Sequence, residues 1–309
     1  MAQKSPPQPQ LIWMSYLILG MAVLMVSSAA IAIRIAQAEG VTSLAIAAWR
    51  LSLAAAILWP VVLTRSRVQV RALTRAEWLL GGLSGIFLAL HFASWISSLA
   101  YTSVASSLAL VSTNPVWIAL VSWLIFREKP GGWLAFGIAA AIGGSALIFL
   151  SDSQIASTTG SDSLLGNVLA VIGSVTVCGY LLVGRKLRKT VPLLPYIWLV
   201  YTSAAVVLMI AALAAGSPLT GFSTVAWLCL IALALGPQLL GHSAFNWALE
   251  HVSATFIAIA ILGEPIGSAL LAWLIFGETF APLQLGGFCL LLTGIYLASR
   301  GELKGTSDD

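Results

Sequence analysis

A few polar and ionisable residues lie inside long apolar stretches of this chain. Glu264 is the one carboxylate that falls deep in such a stretch, and Asn114 occupies the matching place, directly before a proline, in an earlier stretch. A carboxylate in hydrocarbon is costly unless it is paired, protonated or hydrated, so its presence indicates a functional site. We expect Glu264 to bind a substrate ammonium group or a proton. A protonated or arginine-paired Glu264 that packs two helices is the alternative.

Two further apolar stretches each carry a polar stripe at helical spacing. The first stripe follows the i, i+3, i+4, i+7 pattern of one helical face and comprises His91, Ser94, Trp95 and Ser98. The second comprises Gln238, His242, Phe245, Asn246 and Leu249. Imidazole and carboxamide groups need partners that hydrocarbon does not supply, so these faces must contact a neighbouring helix or a cavity. We predict a substrate cavity, with Trp117 and Tyr180 as further aromatic wall.

Arg50 is a third kind of polar group inside an apolar stretch. We expect its side chain to extend outward to the membrane surface, or to pair with an acid such as Glu39, in a structural role. Binding a substrate carboxylate is the alternative role for this guanidinium.

The composition of the chain is that of a membrane protein. Of its 309 residues, 59% are hydrophobic and 8% are charged, and the mean hydropathy is +0.97. A soluble domain carries about 25% charged residues, so this chain could not cover a core with polar surface. The formal net charge of +4 therefore reports on orientation in the membrane and not on affinity for nucleic acid. The three cysteines have no metal or redox spacing, and we expect no cofactor and no metal.

Ten apolar spans of about twenty residues, the length that crosses a bilayer, follow one another along the chain. They are predicted near 12–34, 42–63, 77–100, 104–125, 132–150, 164–184, 194–215, 223–248, 253–275 and 282–299. We therefore predict an all-α membrane protein. Its parts are a disordered cytoplasmic tail 1–11, a five-helix repeat 12–150, an extracytoplasmic linker 151–163, a second repeat 164–300 and a cytoplasmic tail 301–309.

The two halves of the chain are copies of one unit. The sequence Trp123-Leu-Ile-Phe-Arg-Glu returns as Trp273-Leu-Ile-Phe-Gly-Glu, and the same offset superimposes Gly144 on Gly294. Because five spans is an odd number, the second copy must cross the membrane in the inverted orientation. The cations of Arg127-Glu128-Lys129 are absent from Gly277-Glu278-Thr279, as expected for a loop on the opposite side.

The distribution of Lys and Arg gives the absolute orientation. With both termini in the cytoplasm of a bacterial cell, 13 of the 15 basic residues lie on the cytoplasmic side of the inner membrane. The two exceptions are Arg34, at the outer end of the first span, and Arg50.

Inverted repeats of this kind build many secondary transporters, whose substrate sites lie near the bilayer midplane where helices are interrupted. Pro115 and Pro265 fall close to the middle of the fourth and ninth spans. A proline inside a helix removes one hydrogen bond and leaves backbone carbonyls available, so we predict hinges at both positions.

These features resemble the EamA branch of the drug/metabolite transporter superfamily. The second copy is the more similar, with Pro265, the Trp273 to Glu278 motif, Gln284, Gly287 and Gly294, whereas the first copy has Leu134 where the family usually has Gln. Ala48-Trp49-Arg50-Leu51 resembles the arginine at the start of the family's second helix. The overall pattern is most similar to YddG-type exporters of aromatic and other amino acids.

The resemblance implies export of amino acids and related metabolites by alternating access, with the cavity enclosed mainly by spans one, three, four, six, eight and nine. In that reading Glu264 binds the substrate ammonium group, and Asn114, His91 and His242 bind its carboxylate. A drug or lipophilic-cation exporter, another metabolite exporter of the same fold and a membrane scaffold remain alternatives. An enzyme is not expected, because no Asp lies within any span and no nucleophile has a catalytic context. No motif specifies the oligomeric state, for which a monomer is one option.

Overall fold

The computed structural model describes residues 9–114, 116–117, 120–121, 132–159, 162–248, 261 and 263–305. Within these residues every regular element is helical. The helices are α1 Pro9–Ser27, α2 Ala29–Ala38, α3 Ser43–Arg65, α4 Arg67–Arg71, α5 Arg75–Ser98, α6 Val104–Val111, α7 Gly132–Thr159, α8 Ser163–Leu187, α9 Leu193–Ala214, α10 Thr224–Leu233, a π-helix Ala234–His242, α11 Ser243–Ala248, α12 Gly263–Phe276 and α13 Pro282–Gly305. The predictions for Pro115 and Leu249 concern residues outside this set.

Six helical segments of the described chain are long and apolar enough to span a membrane. They are Leu17–Ala38, Ser43–Arg65, Arg75–Ser98, Ser163–Leu187, Leu193–Ala214 and Thr224–Ala248. Three shorter apolar helices accompany them, at Ala135–Ile148, Gly263–Phe276 and Pro282–Gly294. Large apolar side chains point outward, among them Leu79 at 75% and Phe136 at 64% exposed. The chain is therefore an integral membrane protein whose outer surface is suited to lipid.

Hydroxyl side chains begin several of these helices. Thr42, Thr74, Ser103 and Ser223 each accept a hydrogen bond from the backbone N–H three residues later. Such a cap satisfies one of the N–H groups that the first turn of a helix leaves without a partner. At Thr74 the cap is reciprocal, because the Glu77 side chain accepts from the Thr74 backbone N–H.

Three helical stretches depart from the regular α-helices that the sequence predicts. The first span is divided between α1 and α2 by a break at Ser28, and α6 ends at Val111 before a turn at Ser112 and Thr113. In the eighth span, α10 continues as a π-helix that contains Pro237. In contrast, α7 extends to Thr159, so most of the predicted linker 151–163 is helical.

Helices α7 and α13 pack against each other through glycines. A β-carbon on Gly144 would overlap the backbone of Gly287 and Leu291, and one on Gly294 would overlap the backbone of Gly137 and Ala141. Without a hydrophobic driving force between helices in lipid, such close approach is how they gain packing energy. The two contacts are equivalent, because each residue of one lies 150 positions from its counterpart in the other.

An ion pair and its hydrogen bonds join four helices near one end of the structure. Arg34, in α2, lies 3.1 Å from the Glu278 carboxylate, which follows α12. Glu278 also accepts a hydrogen bond from the Val104 backbone N–H at the start of α6, and Arg34 donates to the Leu99 carbonyl at the end of α5. The pair therefore holds α2, α6 and the ends of α5 and α12 together.

The glycine contact predicts different effects for adjacent substitutions in α13. Gly287→Ala should destabilise the protein by about 1–3 kcal/mol, because its β-carbon would meet the Gly144 carbonyl oxygen and displace α7. Gly286→Ala is the matched control, because nothing lies within 4 Å of a β-carbon at that position. Thermal unfolding of the detergent-purified variants measures the difference. Equal melting temperatures for the two variants would contradict the packing described.

Candidate functional site

Arg50 lies at the centre of the buried polar groups, so our expectation that it extends to the membrane surface or pairs with Glu39 was wrong. Its side chain is 0% exposed, so it does not reach the membrane surface. Glu39 is exposed and instead accepts a hydrogen bond from the Ser223 hydroxyl. The Arg50 guanidinium lies over the ring of Phe92. Its central carbon is 4.2 Å from the centroid of the Phe92 ring and 5.9 Å from the centroid of the Trp95 ring. A cation stacked on aromatic rings in this way gains about 2 kcal/mol when desolvated.

Gln238 contacts Arg50 directly. Arg50 Nε donates to Gln238 Oε1 at 2.9 Å, which joins α3 to the π-helix. The backbone carbonyl of Gln238 accepts from Tyr201 Oη at 3.5 Å, so this residue is held from two neighbouring helices. Proline cannot donate a backbone hydrogen bond, and Pro237 lies directly before Gln238. Irregular helical hydrogen bonding of this kind is frequent at functional sites.

Both predicted histidines lie beside the Arg50 cluster. The His91 ring stacks on Trp95, with centroids 5.8 Å apart and planes 14° from parallel. His242 packs edge-on against Phe92, 5.5 Å from its centroid. His91 Nδ1 lies 2.9 Å from the Gly173 carbonyl oxygen in α8. Because a carbonyl oxygen only accepts, Nδ1 carries the hydrogen, and Nε2 of the neutral ring is a hydrogen-bond acceptor.

Glu264 is half-buried near the start of the described part of α12. Its carboxylate and the Arg50 guanidinium are near enough to interact electrostatically. They do not form an ion pair within the 4.0 Å that defines direct contact. Ser27, at the end of α1, donates weakly to the Glu264 backbone oxygen at 3.4 Å and accepts from the Ser268 hydroxyl at 2.8 Å. The break between α1 and α2 therefore packs directly against the turn that carries Glu264.

Tyr180 and Asn246 form a second polar contact next to this cluster. Asn246 Nδ2 donates to Tyr180 Oη at 2.8 Å and to the His242 carbonyl oxygen at 2.8 Å, while Tyr180 Oη lies 3.0 Å from Asn246 Oδ1. Both side chains are 3% exposed. The pair connects α8 to α11 and to the end of the π-helix that carries His242.

Trp117 and Asn114 belong to a separate group along α6 and α8. Trp117 Nε1 donates to Thr113 Oγ1 at 2.9 Å, and Thr113 and Ser174 hydroxyls lie 2.9 Å apart. Asn114 is half-buried, and its backbone oxygen accepts from Cys178 Sγ at 3.3 Å. Neither residue makes a described contact with Arg50, so the structure does not bring Trp117 and Asn114 into that cluster.

The remaining predicted residues have local partners. The Ser94 hydroxyl donates to the Leu90 carbonyl at 2.7 Å within its own helix and faces the close approach of Gly173. Pro265 is buried in the first turn of α12 as described. Sequence reasoning missed Phe92, because it falls outside the polar stripe, and it expected Arg50 to extend to the membrane surface or to pair with Glu39. The dipeptide Gly236-Pro237 was a signal for the irregular helix that positions Gln238.

The apolar helices and the buried polar cluster are those of an integral membrane protein, and comparison with known proteins identifies its family. Residues 12–150 and 164–300 match the EamA-like transporter family. Since the two matches cover most of the chain, the protein belongs to this family. A crystal structure of a protein with 18% sequence identity shares the fold, with a TM-score of 0.64 over 93% of this chain and 96% of that one.

Two curated relatives are named as transporters. The chain is 23% identical over 225 residues to the uncharacterized transporter sll1319 of Synechocystis, an alignment that covers 71% of this chain and 66% of the relative. It is 22% identical over 195 residues to an uncharacterized transporter of Clostridium kluyveri, with 63% of each chain covered. The chain thus spans slightly less than two thirds of the length of either relative.

The Tyr180 and Asn246 contact predicts a stability effect. Tyr180→Phe should destabilise the protein by about 1–3 kcal/mol, because the buried Asn246 amide then loses its hydrogen bonds to the Tyr180 hydroxyl. Tyr101→Phe serves as the control, since the Tyr101 side chain is 42% exposed. Thermal unfolding in detergent gives both values. A Tyr180→Phe variant as stable as the Tyr101→Phe variant would show that the hydrogen bonds contribute nothing.

Proposed function

We propose that the protein is a secondary transporter that exports amino acids, including aromatic ones, and related small metabolites across the bacterial inner membrane. The observation that carries this proposal is the buried cluster of aromatic and polar side chains around Arg50, with which the Glu264 carboxylate interacts electrostatically. A zwitterion with an apolar side chain has the chemistry that such a cluster accommodates. Glu264 would bind the ammonium group, and the rings of Phe92, Trp95 and His242 would contact the side chain.

The proposed architecture is ten membrane spans in two five-helix repeats of inverted topology, 12–150 and 164–300, joined by an extracytoplasmic linker. The helix contacts support it, because they are paired as a two-fold relation requires. Corresponding spans pack on each other, as α3 on α9, α6 on α12 and α7 on α13. The contact of α5 with α8 has its counterpart in the contact of α10 and the π-helix with α1 and α2.

In the proposed transport cycle the two repeats move against each other and expose the cluster to one side at a time. The Arg34 and Glu278 ion pair would close the extracytoplasmic end, because it ties α2 to the ends of α12 and α5. The breaks at Ser28 and at Ser112 and Thr113, together with Pro115 and Pro265, would act as the hinges. Both termini would lie in the cytoplasm, with Lys and Arg retained there.

A lipophilic cation is the second candidate substrate. Rings from α5 and the π-helix line the cluster, and an aromatic wall beside a carboxylate attracts organic cations. The Arg50 guanidinium already covers the face of Phe92, however, and its positive charge disfavours a second cation. A nucleotide sugar is less compatible still, because Arg50 is the one cation that the described part of the cluster contains.

A transport assay with the purified protein tests the substrate class. Liposomes that contain the protein would be offered labelled amino acids, nucleotide sugars and a lipophilic dication, with and without a pH gradient. Saturable flux of aromatic amino acids is the expected result. Flux confined to the dication or the nucleotide sugars would overturn the substrate assignment while leaving the fold in place. No flux of any of these solutes through folded protein would favour a scaffold.

Glu264→Gln should lower the rate of amino-acid export about tenfold or more, because a charge-assisted hydrogen bond to the substrate ammonium group is worth about 1.5–3 kcal/mol. The variant retains the shape of the side chain, so the protein should still insert and purify as a single species. Glu39→Gln is the matched control, as Glu39 is an exposed carboxylate outside the cluster. Wild-type flux in the Glu264→Gln variant would show that Glu264 does not bind the substrate.

A further inference from the structure

The Arg50 cluster contains buried hydrogen-bond donors that have no partner. Arg50 Nη1 and Nη2, Gln238 Nε2 and Trp95 Nε1 are all buried, and each lacks a hydrogen-bond partner. Every one of these atoms carries hydrogen and none can accept. Buried polar groups in folded proteins are normally paired, so a group of four unpaired donors around one guanidinium requires an explanation.

We propose that Arg50 and Gln238 form the subsite for the carboxylate group of the transported amino acid, with the Trp95 indole beside it. This inference rests on the proposed function and deepens it, because it specifies that the substrate must carry a carboxylate. Arg50 then takes the part that the sequence assigned to Asn114, His91 and His242. It is a specificity-determining residue contributed by α3, the second span, which the family resemblance does not place around the cavity.

The contacts of Arg50 leave its binding edge available. Nε is occupied by Gln238 Oε1, and the face of the guanidinium is occupied by Phe92. The two Nη groups therefore remain, and their N–H bonds form the parallel fork that matches the two oxygens of a carboxylate. Because Gln238 Oε1 accepts from Arg50, the Nε2 end of the same amide presents two more hydrogens. Gln238 thus both fixes the guanidinium and adds donors to it.

The neighbouring titratable groups do not compete for this role. Glu264 is the carboxylate whose charge acts on Arg50, but the two groups are not in direct contact. A zwitterion placed between them would offer its carboxylate to Arg50 and its ammonium to Glu264. His91 cannot replace Arg50 while its ring is neutral, because its Nδ1 hydrogen is committed to the Gly173 carbonyl and its Nε2 would repel a carboxylate.

The subsite is closed in this structure, because Arg50 and Gln238 are both 0% exposed. Entry of a substrate requires α3, α5 and the π-helix to separate, which is the movement that alternating access supplies. In the closed arrangement the stacking of Arg50 on Phe92 compensates part of the cost of the unpaired donors.

The test compares two ligands that differ only in the carboxylate. L-Phenylalanine and L-phenylalaninamide share the ring and the ammonium group, but the amide lacks the negative charge. Each would be titrated against the purified protein, with ligand-induced thermal stabilisation as the readout of affinity. Wild-type protein should bind phenylalanine about tenfold or more tightly than the amide, since hydrogen bonds to charged groups contribute at this scale. In Arg50→Gln the ratio should fall to about one, through loss of phenylalanine affinity alone.

A purely structural role for Arg50 predicts a different effect of Arg50→Gln on the two affinities. If Arg50 only packs on Phe92, then Arg50→Gln should weaken both ligands equally or neither, and an unchanged ratio overturns the inference while the proposed function stands. If wild-type protein binds neither ligand or prefers the amide, the proposal of a zwitterionic substrate is wrong, and the proposal of a carboxylate subsite is wrong with it. Measuring wild-type and variant separately therefore distinguishes the two failures.

A second variant covers the case in which Arg50→Gln does not fold. Gln238→Glu changes one atom of the side chain and gives Arg50 an internal carboxylate partner. It should preserve the packing and reduce the preference for phenylalanine over the amide by about tenfold, because the guanidinium is then already paired. Wild-type discrimination in Gln238→Glu would exclude this part of the cluster as the carboxylate subsite.

Discussion

Hydrocarbon supplies no hydrogen-bond partners, and that constraint decides where each polar group of this protein can lie. Many of the described polar side chains within the spans bond to one another or to backbone carbonyls, as Tyr180 does to Asn246 and His91 to Gly173. Large apolar side chains cover the outside. Among the described residues, buried donors without acceptors are concentrated around Arg50, where Arg50, Gln238 and Trp95 contribute four of them. A departure from such a strict rule marks the site more clearly than any motif does.

Much of the fold could be predicted because it depends on simple properties of the sequence. Span length located the six long apolar helices, and the repeat offset identified the equivalence of Gly144 with Gly294. The irregular elements were not predicted. A break at Ser28 and a π-helix at Ala234–His242 depend on which hydrogen bonds neighbouring helices can replace, and hydropathy does not report that.

The site could be predicted only in part, for a related reason. Residue type and helical spacing located His91, Trp95, Gln238 and His242, which the structure brings together. They could not locate the partner of Arg50, because Gln238 is 188 residues away and its position follows from how α3 packs on the π-helix. The rule that a long cationic side chain reaches for the membrane surface failed here because Phe92 and Gln238 provide a closer alternative. Asn114 and Trp117 show the opposite case. Their residue types suit a binding site, but their contacts lie in a separate group with Thr113 and Cys178.

The glycine contact between α7 and α13 has a consequence for the origin of the chain. Gly144 approaches Gly287 and Leu291, and Gly294 approaches their counterparts Gly137 and Ala141, so the interface is the same surface used twice. A surface that pairs with itself requires only one set of residues to arise. In a half-length precursor that associated with a second copy of itself, a single glycine substitution would have improved both halves of the interface at once. Gene fusion would then have joined two partners that already fitted each other.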